Sequence, residues 1–309
     1  MEYTVAIRTL GTAGEKYQCL LDSLANQTIK PQKILIYIAE GYPVPKETVG
    51  IEEYIYVKKG MVAQRALDYG KIETEYILFL DDDVYLPPDG VEYLFNAMKQ
   101  NNGDVISPDV FNNAGRSTKQ EIPLILSGRI SVRYKDTTWG YKVMRNGGYS
   151  YNKHPRPIMK SQTNAGPCFL CKKNDFEKIR FQEETWLDDM PYALGEDQTM
   201  FYKMFLLGLN VLTSYDSGIK HLDAGTAVNN VEKEKVLAFC DCRFKLIFWK
   251  KFLFDNVTRA NKIVNLICFV YSMIVNLLVS LVKGNMTILK QKYSGYKSGF
   301  QFLKTNSSK

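Results

Sequence analysis

The sequence has few of the residues that build histidine-rich metal centres or disulfide frameworks. It contains 2 histidines, His154 and His221, and 6 cysteines scattered over 309 residues. We therefore expect reduced thiols rather than disulfide bonds. The C-x-x-C spacing of Cys168 and Cys171 has no second pair or nearby histidine, so it predicts a buried strand better than a zinc or redox site. No basic segment followed by an apolar one opens the chain, and we expect no secretory signal there.

Acidic residues are scarce in the last quarter of the chain. Residues 233–309 hold 14 Lys/Arg and 3 Asp/Glu, a net charge of +11, whereas 1–232 hold 26 and 30, a net charge of −4. The overall charge of +7 is therefore strongly polarised. Such asymmetry indicates an anionic partner, either nucleic acid or a membrane surface. The apolar and aromatic content of the basic part favours lipid.

Two stretches of this basic part predict helices that contact a membrane. Residues 236–254 resemble a basic amphipathic helix, and 263–282 form an uncharged run of 20 residues, long enough to span a bilayer. Both flanks of that run are basic, which disfavours a single span. The run also carries a polar stripe at helical spacing, formed by Asn265, Ser272, Asn276 and Ser280. We favour an in-plane or hairpin-like attachment; a span and a helix packed on the rest of the protein remain open.

Strand-like and helix-like patterns alternate in the N-terminal part of the chain. Apolar runs predict strands at 5–7, 33–39, 54–57 and 76–80, and helical spacing predicts helices at 17–26 and 61–70. This order predicts a doubly wound α/β sheet. Residues 111–163 are weakly periodic and predict short strands and loops that cover a site.

The strand at 76–80 runs directly into three acids, Asp81, Asp82 and Asp83. In open α/β sheets the carboxyl ends of the strands form the ligand-binding edge. Adjacent carboxylates repel one another unless a cation neutralises them, and a hard divalent cation prefers oxygen ligands. A solvated acidic turn or a helix N-cap is the alternative. A second acidic segment ends in Glu196-Asp197 before another helical pattern, where the helix N-terminus stabilises a carboxylate.

Taken in order, these motifs resemble the family 2 glycosyltransferases, which have the GT-A fold. The resemblance covers roughly residues 3–225. Arg8-Thr9 stands where the family's first strand ends in Pro-Thr, Gln64-Arg65-Ala66 resembles Ala-Arg-Asn, and Asp81-Asp82-Asp83 resembles the metal and ribose motif. The family's helix with Ser-Leu and Gln-Thr is similar to 20–28, and Gly195-Glu196-Asp197 is similar to its acceptor-side Glu-Asp.

The resemblance implies a GT-A catalytic domain at 1–232, and the basic, apolar composition of 233–309 predicts a helical membrane-association segment after it. It implies a nucleotide-sugar donor, a glycan or lipid-linked acceptor, and Mg²⁺ or Mn²⁺ as cofactor. The implied donor-binding residues are Thr9, Glu40, Arg65, Asp81 and Asp82. The implied metal ligands are Asp83, Asp81 and His221.

The same resemblance implies direct displacement with inversion, for which the acceptor hydroxyl needs a base. We expect Asp197 in that role, with Asp188, Asp189 and Glu196 as alternatives. Trp186 forms either an apolar platform for the acceptor or part of the core. The Gln-x-x-Arg-Trp signature of processive synthases is absent, which predicts transfer of one sugar at a time. The basic, apolar C-terminus motivates a role in surface polysaccharide or glycolipid synthesis at the cytoplasmic face of the membrane. The alternatives are a sugar nucleotidylyltransferase and a membrane-attached non-catalytic binding protein.

Overall fold

An eight-stranded mixed sheet organises the protein, in a computed structural model that describes residues 1–110, 118–126, 138–151, 156–192, 194–222 and 231–306. Its strands run in the order β3-β2-β1-β4-β10-β6-β11-β9. Two further ribbons pair β5 with β12 and β7 with β8. The strands are β1 (Tyr3–Thr9), β2 (Lys33–Ala39), β3 (Glu52–Val57), β4 (Tyr76–Asp81), β5 (Val84–Tyr85), β6 (Val105–Pro108), β7 (Tyr141–Val143), β8 (Tyr149–Tyr151), β9 (Ile158–Lys160), β10 (Cys168–Lys172), β11 (Val211–Ser214) and β12 (Lys220–His221).

The predicted doubly wound α/β class is confirmed, with a mixed sheet. β1 lies between β2 and β4 and pairs with both in parallel, whereas β10 runs antiparallel to β4 and β6. The helices are α1 (Glu15–Ala25), α2 (Gly90–Gln100), α3 (Thr118–Leu126), α4 (Lys173–Lys178), α5 (Glu196–Leu206), α6 (Val231–Phe248), α7 (Arg259–Val282) and α8 (Met286–Asn306). A 3-10 helix, Phe181–Leu187, precedes α5, and a π-helix, Trp249–Phe254, follows α6.

Two hydrophobic clusters cover the two faces of the sheet. Side chains alternate between the faces along a strand. In β4, Leu78 and Leu80 accordingly join the cluster that contains α1 and α2, whereas Ile77 and Phe79 join the cluster that contains α5 and α6. Cys168 and Cys171 are buried free thiols at the two faces of β10, as the strand interpretation predicted.

The helix predicted at 61–70 is wrong. The segment from Gly60 forms a series of turns, in which the Asp188 carboxylate accepts hydrogen bonds from the amides of Val62 (3.0 Å) and Ala63 (2.9 Å). A carboxylate that is distant in sequence thus binds two amides of the kind that the first turn of a helix leaves without a partner. Much of the predicted loop region 111–163, including His154, lies outside the described residues.

The C-terminal helices pack on the eight-stranded sheet through α6. Phe244 and Phe248 of α6 belong to the same cluster as Phe201 of α5. α8 packs closely against α6 because Gly295 and Gly299 face it; a Cβ at Gly295 would lie 2.3 Å from a backbone oxygen of α6. By length and composition, α7 could cross a membrane. The predicted boundary at residue 232 falls within the first turn of α6.

Candidate active site

The ends of β1 and β4 bring the first acids of the motif against a buried arginine. Arg8 and Asp81 are register partners in these parallel strands. Arg8 Nε and Nη2 donate to the two oxygens of Asp81 at 2.5 and 3.1 Å. On the next residues, the Thr9 hydroxyl donates to Asp82. The residue that replaces the family's proline is therefore a bidentate partner of the first motif carboxylate.

Arg65 joins this pair to the acidic start of α5. Its guanidinium is 2% exposed, and its Nη2 lies 3.2 Å from Asp81 Oδ1. Its Nη1 lies 2.9 Å from Glu196 Oε1 and 3.4 Å from Asp197 Oδ1. Arg8 Nη1 contacts the same Glu196 oxygen at 3.2 Å. We call these five residues, Arg8, Arg65, Asp81, Glu196 and Asp197, the charge cluster.

The charge cluster separates the protonation behaviour of its carboxylates. Burial, followed by the neighbouring Glu196 charge, raises the pKa of Asp197 to about 8, against the opposing effect of Arg65. Burial acts in the same direction on Asp81, but Arg8 and Arg65 outweigh it and hold the pKa of Asp81 below its ordinary value. A cluster with a protonated Asp197 is therefore neutral, with two cations and two anions. Asp197 is also one-third exposed, which leaves its carboxyl accessible to a substrate.

A short ribbon places the third acid of the motif beside a histidine. β5 and β12 pair antiparallel, with Val84 opposite His221. His221 Nε2 lies 2.9 Å from Asp83 Oδ1, and the amide of Leu222 donates to the Asp83 carbonyl at 2.7 Å. Between the two sites, burial and the charges of Asp81 and Asp83 raise the pKa of Asp82 to about 6, although the Thr9 hydroxyl acts in the opposite direction.

The donor set at this ribbon fits a hard cation that shares its ligands with a substrate. Within the described ranges no group of three His, Cys, Asp or Glu side chains forms a complete metal cage. Mg²⁺ characteristically takes one or two carboxylates and completes its shell with water and substrate phosphates. Asp83 and His221 supply an oxygen and a nitrogen ligand side by side. Both oxygens of Asp81 accept hydrogen bonds from Arg8, and the role of Asp81 as a metal ligand stays a prediction.

The alternative bases are placed in structural contacts. Asp188 caps the turn at Val62 and Ala63 with both carboxylate oxygens. Asp189 is 63% exposed and lies 3.8 Å from Arg243. Glu196 is 3% exposed and serves as the shared counter-ion of Arg8 and Arg65. Of the four candidates, Asp197 alone combines contact with the charge cluster, partial exposure and a raised pKa.

Two other predicted residues lie away from the charge cluster in their contacts. Trp186 is 6% exposed; its indole N–H donates to Glu184, and its ring stacks on Phe244. Its position supports the core interpretation over an acceptor platform. Glu40 is exposed in the turn after β2, where its backbone amide binds the carbonyl of Val57.

Sequence reasoning missed three residues that shape the site. The sequence motif marks Arg8 only as a departure from the family's proline. Gly166 accepts a hydrogen bond from Arg65 at its carbonyl, and a Cβ on it would lie 1.9 Å from Asp197 Oδ1. Gln64 is buried and donates to the carbonyls of Thr9 (3.2 Å) and Tyr37 (3.3 Å). Only the Arg8 departure gave a usable signal, because a buried arginine at a strand end requires an acidic partner.

The chain was compared with known families and proteins. The model of the family described as Glycosyl transferase family 2 matches residues 57–180. The matched stretch contains Arg65, Gly166 and the three acids after β4, and it ends before Glu196. No curated protein matches the chain. The match agrees with the motif order and with the mixed α/β sheet, and over residues 57–180 the chain is similar to the family 2 glycosyltransferases.

Proposed function

We propose that the protein transfers one sugar, with inversion, from a nucleotide-diphosphate sugar to a hydroxyl of a glycan or lipid-linked acceptor, with the help of a divalent cation. One observation carries this proposal: a carboxyl with a raised pKa, Asp197, and a carboxylate–imidazole pair, Asp83 and His221, flank the acidic end of β4. A base and a cation site are the two parts that direct displacement of a diphosphate requires.

Asp197 would act on the acceptor. Its side chain is held by Arg65 from one side and faces the Gly166 backbone closely, while a third of it stays exposed. A base works best when its pKa lies near the operating pH, and a value of about 8 meets that condition. Ionised Asp197 would accept the hydroxyl proton as the oxygen attacks the anomeric carbon on the face opposite the leaving diphosphate.

Asp83 and His221 would hold Mg²⁺ or Mn²⁺ together with the diphosphate. A bound cation supplies charge neutralisation of the leaving group, which is worth several kcal/mol in the transition state. The protein's own part is to keep the two ligands adjacent, which the β5–β12 pairing does through the bond from the Leu222 amide to the Asp83 carbonyl.

The donor's nucleoside would lie along the strand ends beside the cation. Thr9, Asp82 and the charge-cluster pair of Arg65 and Asp81 lie at this edge, and Glu40 follows the neighbouring strand β2. Asp81 keeps 19% of its side chain exposed, so a ribose hydroxyl can still approach it.

A membrane surface would be the place of action. From residue 256 onward the chain contains 8 Lys/Arg and no Asp/Glu, beside an apolar helix, α7. We infer attachment to the cytoplasmic face of a membrane, where anionic lipids attract basic segments. An acceptor linked to lipid, as in surface polysaccharide or glycolipid synthesis, would meet the active site there.

Hydrolysis of nucleotide sugars in the absence of acceptor tests the proposal. UDP-, GDP-, dTDP- and CMP-sugars are screened with Mg²⁺ or Mn²⁺ on wild type, Asp83→Ala and the exposed control Asp89→Ala. We expect slow, metal-dependent release of the nucleotide product from one donor, lost in Asp83→Ala and retained in the control. The absence of turnover and of metal-dependent nucleotide binding would refute the proposal. With an acceptor in hand, the anomeric configuration of the product, read by NMR, tests inversion.

A further inference from the structure

Helix α7 has its polarity reversed relative to a helix on the surface of a soluble protein. A row of large apolar side chains along it faces away from the protein, and each is between 37% and 63% exposed. Burying such a row would normally be the reason for the helix to exist. Val282 at its end is 85% exposed. The row consists of Ile263, Ile267, Val270, Ile274, Leu278 and Leu281.

The polar side chains of α7 face inward instead. Asn265 is 5% exposed; it accepts from Arg145 at 2.8 Å and donates to the carbonyl of Leu253 at 2.6 Å. Ser272 accepts from Asn146 at 3.1 Å. Asn276 Oδ1 accepts from Lys292 of α8 at 2.8 Å. These contacts join α7 to the loop after β7, to the π-helix and to α8.

The polar stripe therefore has a structural purpose that conflicts with a spanning helix. To cross a bilayer, α7 would have to leave the protein, and the three inward residues would lose these partners inside hydrocarbon. Unsatisfied polar groups are costly there, because no water is present to replace the lost bonds. Remaining docked, α7 keeps every one of these bonds and presents its apolar row outward.

The charges around the apolar row identify its partner. Arg259 and Lys262 lie at the start of α7 and Lys283 at its end, and Lys290 and Lys297 are exposed on α8. No acidic residue follows Asp255. A second copy of the chain seated on this row would bring like charges together. An anionic lipid surface offers both the apolar medium and the complementary charge.

We propose that α7 lies flat in one leaflet of an anionic membrane, docked to the catalytic body by its inward polar stripe, so that α8 and the basic tail stay on the same side as the active site. This inference rests on the membrane attachment in the proposed function and adds its topology. The apolar row would enter the acyl boundary, and the flanking cations would meet the headgroups.

Flotation with vesicles tests the contact. Full-length protein is mixed with phosphatidylcholine vesicles with or without phosphatidylserine, and nucleotide-sugar hydrolysis is measured in parallel. We expect flotation with the anionic vesicles. It should be weakened more than about tenfold in a triple variant, Ile267→Ser, Ile274→Ser and Leu278→Ser, because three apolar side chains that enter the acyl boundary are lost. The matched control replaces three exposed apolar residues elsewhere, Ile51→Ser, Leu206→Ser and Leu207→Ser, and should float like wild type.

Cysteine labelling tests the topology. In a variant with Cys19→Ser and Cys268→Ser, single cysteines are introduced as Ser294→Cys on α8 and Lys46→Cys on the catalytic domain. Both should react with a membrane-impermeant maleimide in the same orientation of sealed vesicles. Labelling from opposite sides would establish a span and overturn the proposal. The proposal would also be overturned if the protein did not float with vesicles and instead formed a dimer that the triple variant dissociates, because the row would then bind a second copy. Hydrolysis is scored separately, so failure here is distinguishable from failure of the proposed function.

Discussion

Replacing Glu196 with glutamine should lower the stability of the fold and, at the same time, extend activity to lower pH. The Glu196 carboxylate is 3% exposed and touches two guanidiniums through one oxygen, at 2.9 Å from Arg65 and 3.2 Å from Arg8. Glutamine keeps the shape and the carbonyl oxygen and removes only the charge. The perturbation therefore isolates the electrostatic part of this contact.

The cost follows from the charge balance of the cluster. At a pH low enough for Asp197 to be protonated in both proteins, wild type is neutral, and the Glu196→Gln variant carries one uncompensated buried cation, so the melts are compared there. Breaking a buried ion pair costs about 3–5 kcal/mol. The retained amide oxygen and the remaining partner, Asp81, place this variant at the lower end, about 3 kcal/mol, or a fall in Tm of roughly 6 °C for a chain of this size.

The pH dependence should move in the opposite sense to the stability. Glu196 is, after burial, the main cause of the raised pKa of Asp197. Without its negative charge, ionisation of Asp197 becomes easier, so the pKa falls from about 8 toward the ordinary value. A base acts only when deprotonated, and the acid limb of the kcat/KM profile should shift to lower pH. Relative to its own maximum, the variant should gain activity below pH 8.

Thermal melts and pH–rate profiles of donor hydrolysis measure the two effects. Glu183→Gln provides the control, because Glu183 is 49% exposed and pairs with Arg180 and Lys203 at the surface. Exposed pairs are worth about 0–1 kcal/mol, so its Tm should change little. An unchanged Tm in Glu196→Gln, or an acid limb that stays in place or moves upward, would refute the charge-balance reasoning.

Three further predictions concern the base, the cation site and the glycine beside the base. Asp197→Asn should lower transfer by about 10²–10⁴-fold. Folding raises the pKa of Asp197 from 3.8 to about 8, so the folded wild type loses stability as the pH rises across that range. The Tm of the variant should therefore exceed that of wild type at pH 9, and the difference should shrink toward pH 5. Asp83→Asn or His221→Ala should raise the Mn²⁺ concentration for half-maximal donor hydrolysis, by about tenfold or more for loss of one ligand contact; an unchanged metal titration would exclude both ligands. Gly166→Ala should lower kcat by about 10²-fold, since a 1 Å misplacement costs that much, whereas Gly148→Ala, whose Cβ would meet its neighbour at an ordinary 3.4 Å, should not.

The sheet was predictable because its central strands follow from apolar runs in the local sequence. β1, β2 and β4 are apolar runs buried on both faces, and such runs identify central parallel strands without tertiary information. The position of Asp81 at the end of β4 followed from the same pattern. The turns after Gly60 were not predictable in this way, because the Asp188 carboxylate that satisfies their amides lies more than 120 residues further along the chain.

The candidate site was predictable in its residue types and only partly in its pairings. Family resemblance placed Arg65, Asp83 and Asp197 near one another, and the described geometry brings Arg65 to Asp197 and Asp83 to His221. The identity of the base among four nearby acids required burial and contacts. Local sequence cannot tell a capping carboxylate from a counter-ion or from a base, because all three follow similar acidic patterns before α5.

Arg8 gives the charge cluster its particular balance. A proline at this position would leave Arg65 as the single cation facing the carboxylates of Asp81, Glu196 and Asp197. The second guanidinium binds both oxygens of Asp81 and also contacts Glu196, and within the charge cluster burial and the Glu196 charge raise the pKa of Asp197 to about 8. The carboxyl with the raised pKa is thus also the one that is one-third exposed, which is what our proposal of Asp197 as the general base requires.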